Sequence, residues 1–511
     1  MFAKDTVMQL ASCTCMLGDL PVVEGSMVQK NENTVEWDVK EGYYANTVDP
    51  VTGEIVMAPI TKVSKHTNLK MFDCTMNVSR AYSHVVTASE DHSLITLDKK
   101  TLELVKTKPE DAVGALVPVV KKNAVNNHDN CFDTIKLGKT YPLSYNMGVF
   151  LGAMIGDGWV DSNCCVKLAC CDASLQNYIN NTWVPCDSLP FKDTPRFHSY
   201  EPDAQRFGQE HNRELFHFVL DFEDKKALAR LIGCGALNKK IDHTIMIGSR
   251  TALIGVLCGL LATDGHVGIS KTASKKAPIK NVAYHTISPT LRDNIQELCM
   301  RLGIRTRVTP YMGANSKSTC YAIGFCLEDV AALKREYPTK FVIPVDYKEE
   351  ALKEICADIA SGVKNSFDLV PYPRGLFCEF SYVGAGDMFK GTIPAASKKG
   401  YIKREYAKKL ADKMEKADWE NYVEPNYLKT SDRTGHTPEE AKALVDKWIA
   451  MVRNEDITWE VVESVTPATV TEGWDCTVPG PYTFTLSTGT VVQDTVNLHV
   501  PVSKGAIRDI R

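Results

Sequence analysis

The sequence predicts a β-rich domain carried in two separate segments, an α+β domain with an internal two-fold repeat between them, and an extra helical region. Three observations carry this expectation. Alternating β-type sequence lies near both ends, at residues 34–39 and 54–60 and again at 459–465. A helical stretch of small and apolar residues ending in Asp-Gly occurs at 149–160 and recurs at 255–267. Amphipathic helices at 401–416 and 437–448 stand between that repeat and the closing strands.

Bulk properties bound the answer. A chain of 511 residues suggests about two to four domains with ample core. A net charge of -4 excludes a uniformly polybasic nucleic-acid binder but not one with Lys and Arg gathered on one face. The 17 cysteines are mostly scattered. The exceptions, Cys13 with Cys15, Cys164-Cys165 and Cys170-Cys171, lack the paired CxxC spacing of a zinc site. They read as buried free thiols in a reducing compartment, with longer-range ligation left open. No apolar run reaches the roughly 18 residues of a membrane helix, and Met1-Phe2-Ala3-Lys4-Asp5 opens no secretory signal. The expectation is a soluble, cytoplasmic protein of a prokaryotic or phage-infected cell.

Taken in order, residues 1–14 form a short flank. Cys15 then precedes a Gly18-Asp19 turn and β-type sequence. A thiol is the side chain best suited to attack the carbonyl that precedes it, because its pKa is low and its sulfur strongly nucleophilic. Cys13 competes, but Cys15 has the spacing that resembles the first splicing block of inteins. Ser89-x-x-His92 at a strand end is similar to that family's T-x-x-H element, with Thr87 as an alternative orienting hydroxyl. The resemblance implies that Cys15 converts the Thr14–Cys15 amide to a thioester. It implies also that His92 donates to the leaving nitrogen while Ser89 orients the same peptide.

The stretch from Gly473 to Phe484, followed by Val491-Val492-Gln493-Asp494-Thr495, resembles the carboxy-terminal splicing blocks. There Asp494 is the last residue of the intein and Thr495, the first of the downstream host flank, supplies the acceptor hydroxyl. Asp475 matches an Asp that coordinates the steps. The family ends His-Asn, whereas this chain has Gln493 and Asp494, and Tyr482 stands in place of a usual His. A carboxylate is a poorer internal nucleophile than the Asn amide, so slow splicing, or partial activity dominated by cleavage, is expected.

The repeat has its own physical logic. Gly152 and Gly156 lie four apart, as do Gly255 and Gly259, and each pair makes a flat helix face where backbones can approach. Packing those faces brings Asp157 beside Asp264. Two such carboxylates repel unless they share divalent cations, the requirement of metal-assisted phosphodiester hydrolysis. The two stretches resemble the paired helices of LAGLIDADG homing endonucleases. The later pieces 226–233, 291–304, 305–308 and 321–325 fit that family's repeated α-β-β-α-β-β-α half, fused as a pseudo-dimer. The resemblance implies a monomer that cleaves double-stranded DNA with Mg²⁺ held by Asp157 and Asp264, and a lysine near the metals. Arg301, Arg305, Arg307, Lys271, Lys275, Lys276 and Lys280 are candidate DNA contacts.

The fold class so implied is an all-β splicing (Hint, horseshoe-like) domain interrupted by an α+β pseudo-two-fold LAGLIDADG endonuclease with an extra helical region. Its expected parts are an amino-terminal flank 1–14, splicing segments 15–140 and 456–494, a nuclease 141–350, helices 351–455 as a DNA-reading subdomain or spacer, and a host flank 495–511. Insertion into an exposed loop of a compact β-fold is physically easy. Residues 495–503 resemble a segment of large RNA polymerase subunits, which would make that enzyme the host, although residues 1–14 lack the Asp-rich loop expected upstream. The implied function is self-splicing, needing no cofactor, plus site-specific DNA cleavage. The alternative is a splicing-impaired remnant that only binds or cuts DNA.

Overall fold

The computed structural model describes residues 7–9, 14–16 and 20–493, apart from 50–52, 80–81, 122–133, 161–164, 171, 187, 194–195, 201–212, 247, 271–278, 313–317, 361–367, 386–395, 397 and 487. The chain forms two compact units. The first comprises 1–77, 85–120 and 368–511, and the second 78–84 and 121–367.

In the first unit, strands from the two ends of the sequence interleave. Val491–Gln493 sits between Leu94–Leu97 and Thr483–Thr485 in one four-stranded sheet. Ile457–Pro467 sits between Leu116–Val120 and Met71–Ser79 in another, and Gly473–Thr477 extends the sheet of Lys62–His66, Thr34–Asp38 and Val28–Asn31. Neither terminal segment can complete these ladders alone, because each would leave a row of unpaired backbone groups.

The helical region belongs to this unit and shares its core. Trp448, Phe380, Leu410 and Trp419 pack in one buried cluster with Ile95, Leu97, Leu116, Val120 and Val491. The final helix, Pro438–Arg453, begins with a capping box: Thr437 Oγ1 accepts from the Glu440 N–H at 3.3 Å and Glu440 Oε2 from the Thr437 N–H at 2.9 Å. Two expectations change here. Residues 401–403 form a strand paired with Leu369–Pro371 before the helix Arg404–Met414 begins. The helix Asp346–Ala360, expected in the helical region, belongs to the second unit instead.

The second unit is built on the helices Tyr145–Gly156 and Arg250–Ala262. Their contact is a backbone seam. A Cβ added to Gly152 would collide with the Val256 carbonyl oxygen, and one added to Gly259 with that of Val149. Gly148 and Gly255 make the same kind of approach one turn earlier, whereas Gly156 faces the Thr263 side chain. The seam therefore runs one turn further from the Asp-Gly ends than the Gly152/Gly156 pairing suggests. Each helix leads into a four-stranded sheet of the same strand order. The first holds Gly158–Val160, Val166–Cys170, Arg213–Phe218 and Arg196–Tyr200; the second holds Gly265–Ser270, Ile279–Thr286, Thr319–Phe325 and Thr306–Met312. The helices Phe222–Ile232 and Leu327–Glu336 close the two halves.

Candidate functional site

The first unit gathers polar residues where its two sequence segments meet. In register across three strands stand Glu36, Ser64 and Asp475, so their side chains share one face of the sheet. Asp475 is buried and its Oδ1 accepts from the Cys476 N–H at 2.9 Å. His66, two residues from Ser64 on that face, has Nε2 3.0 Å from Ser64 Oγ and Nδ1 3.0 Å from Thr34 Oγ1. Burial pushes its pKa down to about 4, so it is neutral.

His92 lies in the turn before Leu94–Leu97, its N–H bonded to the Ser89 carbonyl at 3.0 Å. Because Leu94 pairs with Val492, this turn faces the end of Val491–Gln493, and His92 Nε2 makes a short hydrogen bond with the Gln493 carbonyl. Burial holds the imidazole well below its ordinary pKa, so it is neutral and Nε2–H is the donor. Ser89 is buried as well. Thr87 is committed elsewhere, its hydroxyl donating to Asp73 Oδ1 at 2.5 Å.

Thr483, opposite Gln493 in the ladder, has its hydroxyl 2.5 Å from that of Thr47. Tyr482, just before it, has φ 54°, the left-handed region that a bulky residue adopts only under local constraint. Cys15 lies in Thr14–Met16, where it pairs with Met8 of Val7–Gln9, and Val7–Gln9 lies against Thr483–Thr485. Cys13, Asp494 and Thr495 fall outside the described residues, as do 495–503 with their likeness to RNA polymerase.

In the second unit the glycine seam places Asp157 and Asp264 side by side at the ends of their helices. The two carboxyl groups are close enough to perturb one another's ionisation. Asp157 caps its helix, its N–H donating to the Ala153 carbonyl at 3.1 Å. Loss of hydration, then the charge of Asp264, pushes the Asp157 pKa up to about 7, and Asp264 is shifted upward too, chiefly by loss of hydration. Asp264 is exposed and Asp157 half-buried, so the pair is accessible to an incoming ligand. The phenol of Tyr284 forms a buried wall, held protonated by burial and then by both aspartates.

Two lysines flank the pair. Lys239 Nζ donates to the Met154 carbonyl at 2.7 Å and also to that of Gly158. Lys348 Nζ donates to the carbonyls of Leu261 at 2.9 Å, Ala262 at 3.1 Å, Thr263 at 2.9 Å and Gly265 at 2.8 Å. Burial lowers each to about 8, opposed by the two aspartates. Sequence reasoning expected a lysine here and did not locate it. The signal was the internal repeat, since each lysine follows the helix that closes its half.

Residues 251–334 match the family model described as a LAGLIDADG-like domain. The match takes in the helix Arg250–Ala262, Asp264 and the second sheet. Among solved structures, the chain is similar to the PabCDC21-1 intein, at 12% identity over 23% of this chain and 71% of that one, with a TM-score of 0.20. It is similar also to mesophilic variants of the homing endonuclease I-DmoI, at 13% identity over 39% and 96%, with a TM-score of 0.25. A further similar structure is I-DmoI in complex with DNA and Mn, at 14% identity over 39% and 97%, with a TM-score of 0.24. No curated protein sequence matches the chain.

Three of the basic residues expected to touch DNA are engaged by acidic partners within the second unit. Arg305 forks onto both oxygens of Asp329 at 2.7 and 3.0 Å. Arg301 donates to Glu297 at 3.1 Å, and Lys280 is paired with Asp358. These contacts hold a strand and a helix in place, which accounts for the positive charge without a ligand. Arg307 lies on Thr306–Met312, and Lys271, Lys275 and Lys276 fall outside the described residues.

Of the paired cysteines expected to be buried, Cys165 is exposed, and Cys164 and Cys171 fall outside the described residues, whereas the scattered Cys258 and Cys299 are buried thiols. Among the described residues no group of three or more His, Cys, Asp or Glu could hold a metal ion, and no helix is long and apolar enough to cross a membrane. A hard divalent cation nevertheless fits Asp157 and Asp264. Mg²⁺ commonly takes one or two carboxylates and fills its remaining positions with water and phosphate oxygens.

Proposed function

We propose that this protein is an intein that splices itself out of a host chain and cleaves double-stranded DNA at a specific site, the activity of homing. One observation supports the nuclease half: Asp157 and Asp264 stand together, accessible to solvent, at the ends of two helices joined by a glycine seam. Asp157 and Asp264 would hold the divalent ions, Mg²⁺ in the cell, which when bound activate water and stabilise the leaving oxygen of a phosphodiester. Lys239 and Lys348 hold the carbonyl ends of the two helices and keep positive charge beside the reacting phosphate. The strands of the two sheets receive the duplex, and the pseudo-two-fold arrangement within one chain suits a monomer.

For splicing, support comes from interleaved strands that bring His92 to Gln493 and Asp475 into a buried polar row. Cys15 forms the thioester, Thr495 accepts the acyl group, Asp494 releases the junction, and an O-to-N shift joins the flanks. Ser89 and His92 position the peptides concerned. The host flank from Thr495 is given no identity: likeness to RNA polymerase rests on residues 495–503 alone. A cytoplasmic location in a prokaryotic or phage-infected cell suits free thiols.

The remnant alternative is disfavoured because both acidic residues are retained. The deciding test is incubation with a plasmid carrying the uninterrupted host site and Mg²⁺, beside the Asp264→Asn variant. Cleavage that disappears in the variant is expected, and an uncut plasmid would defeat the nuclease reading. For splicing, the masses of purified product and of a Cys15→Ala precursor are compared. Masses that differ only by the Cys-to-Ala change would defeat that reading.

A further inference from the structure

The two halves of the second unit are alike in fold and unlike at one position beside the aspartates. In the first sheet Gly158, which follows Asp157, pairs with Leu168; in the second Gly265, which follows Asp264, pairs with Tyr284. Each partner pairs in turn with the next strand, Leu168 with Phe216 and Tyr284 with Ile323. Leu168 and Tyr284 therefore hold equivalent places, and both are buried in the same core.

They differ in what they offer a charged neighbour. The Tyr284 hydroxyl is buried and makes no hydrogen bond among the described residues. Burial, then the charges of Asp264 and Asp157, hold the phenol protonated, so it remains a donor. A buried donor left unpaired is costly, and a binding or catalytic role is one reason a fold retains it. Leu168 offers Asp157 no donor at all.

We infer that Tyr284 is a positioning residue of the second half, its hydroxyl donating to the Asp264 carboxylate when that group is charged and holds a cation, and that the half carrying Asp157 works without such support. This rests on the nuclease reading above. The two strands of a duplex are related by two-fold symmetry, so a pseudo-two-fold protein sets one half against each strand. A carboxylate held in one orientation has less freedom to lose on binding than an unsupported one. The half carrying Asp264 is then the faster cutter, and a duplex nicked in one strand precedes the double-strand break.

The test compares the full-length protein with its Tyr284→Phe variant, which removes the hydroxyl and keeps the ring. A duplex bearing the uninterrupted host site, with a different dye on each strand, is cut in Mg²⁺. Wild type is expected to cut one strand about threefold or more faster than the other. Tyr284→Phe should slow that strand about tenfold and the other less than about twofold, the effect of losing one hydrogen bond to a charged group. Two further readouts need no DNA. Calorimetric titration should show Mg²⁺ bound about threefold or more weakly by the variant. The melting temperature without metal should change by less than about 2 °C.

Equal slowing of both strands would overturn the inference, as would unchanged Mg²⁺ binding. So would a metal-free melting temperature lowered by more than about 2 °C, because a purely structural hydroxyl predicts that result. If wild type and Tyr284→Phe cut alike, this inference alone fails, whereas a duplex that wild type leaves uncut sinks the nuclease reading with it.

Discussion

Lys239 and Lys348 hold equivalent posts: each ammonium is donated to the carbonyl end of the helix that carries one of the two aspartates. Both are buried enough to be shifted down to about 8, and both feel Asp157 and Asp264. The site is thus a quartet of two solvent-accessible acids and two buried bases, each half contributing one of each.

If these lysines place charge beside the scissile phosphate, Lys239→Met should lower plasmid cleavage about 100-fold, within the range for a positioned proton-transfer or charge-stabilising group. Lys348→Met should do the same and also destabilise the second unit by about 1–3 kcal/mol, since buried carbonyls lose their donor. Initial cleavage rates and thermal melts of the two variants separate these effects. Unchanged cleavage in both would remove the lysines from the mechanism.

Metal binding should be steeply pH-dependent. The folded pKa of Asp157, near 7, lies above its unfolded value near 3.8, so the proton it carries must leave before a cation can bind. Apparent Mg²⁺ affinity should rise about tenfold per pH unit up to roughly pH 7 and flatten above it. The same shift costs stability without metal, a cost absent below the unfolded pKa and growing as pH rises from about 4 to 7. Calorimetric titration with Mg²⁺ at pH 6, 7 and 8 tests the slope, and a flat profile would contradict it.

Removing one charge should relieve that cost. Asp264→Asn should abolish DNA cleavage yet raise the melting temperature of the metal-free second unit by about 2–4 °C at pH 8. Mg²⁺ should then no longer add stability. A variant that melts lower than wild type without metal would show that the two carboxyl groups do not strain the apo site.

The glycine seam admits no methyl group. Gly152→Ala or Gly259→Ala should destabilise the second unit by at least about 1–3 kcal/mol, because the added carbon meets a carbonyl oxygen of the facing helix and not a movable side-chain end. Gly156→Ala meets the Thr263 side chain, which can turn aside, and should cost less. Denaturation followed by tryptophan fluorescence would rank the three, and equal losses would sink the distinction.

Trp448→Ala should lower the stability of the first unit by about 3–5 kcal/mol and reduce processing at both junctions, because the helical region and the β-sheets share one core. If residues 368–455 were a detachable spacer, processing would survive the substitution.

Much of this protein was legible in its sequence, for local physical reasons. Glycine spacing, Asp-Gly helix ends, the Thr437–Glu440 capping box and β-alternation are short-range patterns, and the repeat announced a two-fold unit with paired aspartates. Tertiary structure alone decided the rest. Lys239 and Lys348 look like any surface lysine until the chain folds back and buries each against a helix end. Arg301, Arg305 and Lys280 look like DNA contacts until Glu297, Asp329 and Asp358 claim them. Sequence spacing put His92 in a splicing motif, but only the pairing of Leu94 with Val492 could show which peptide it grips. Long-range pairing chooses a side chain's partner, and a linear pattern does not contain it.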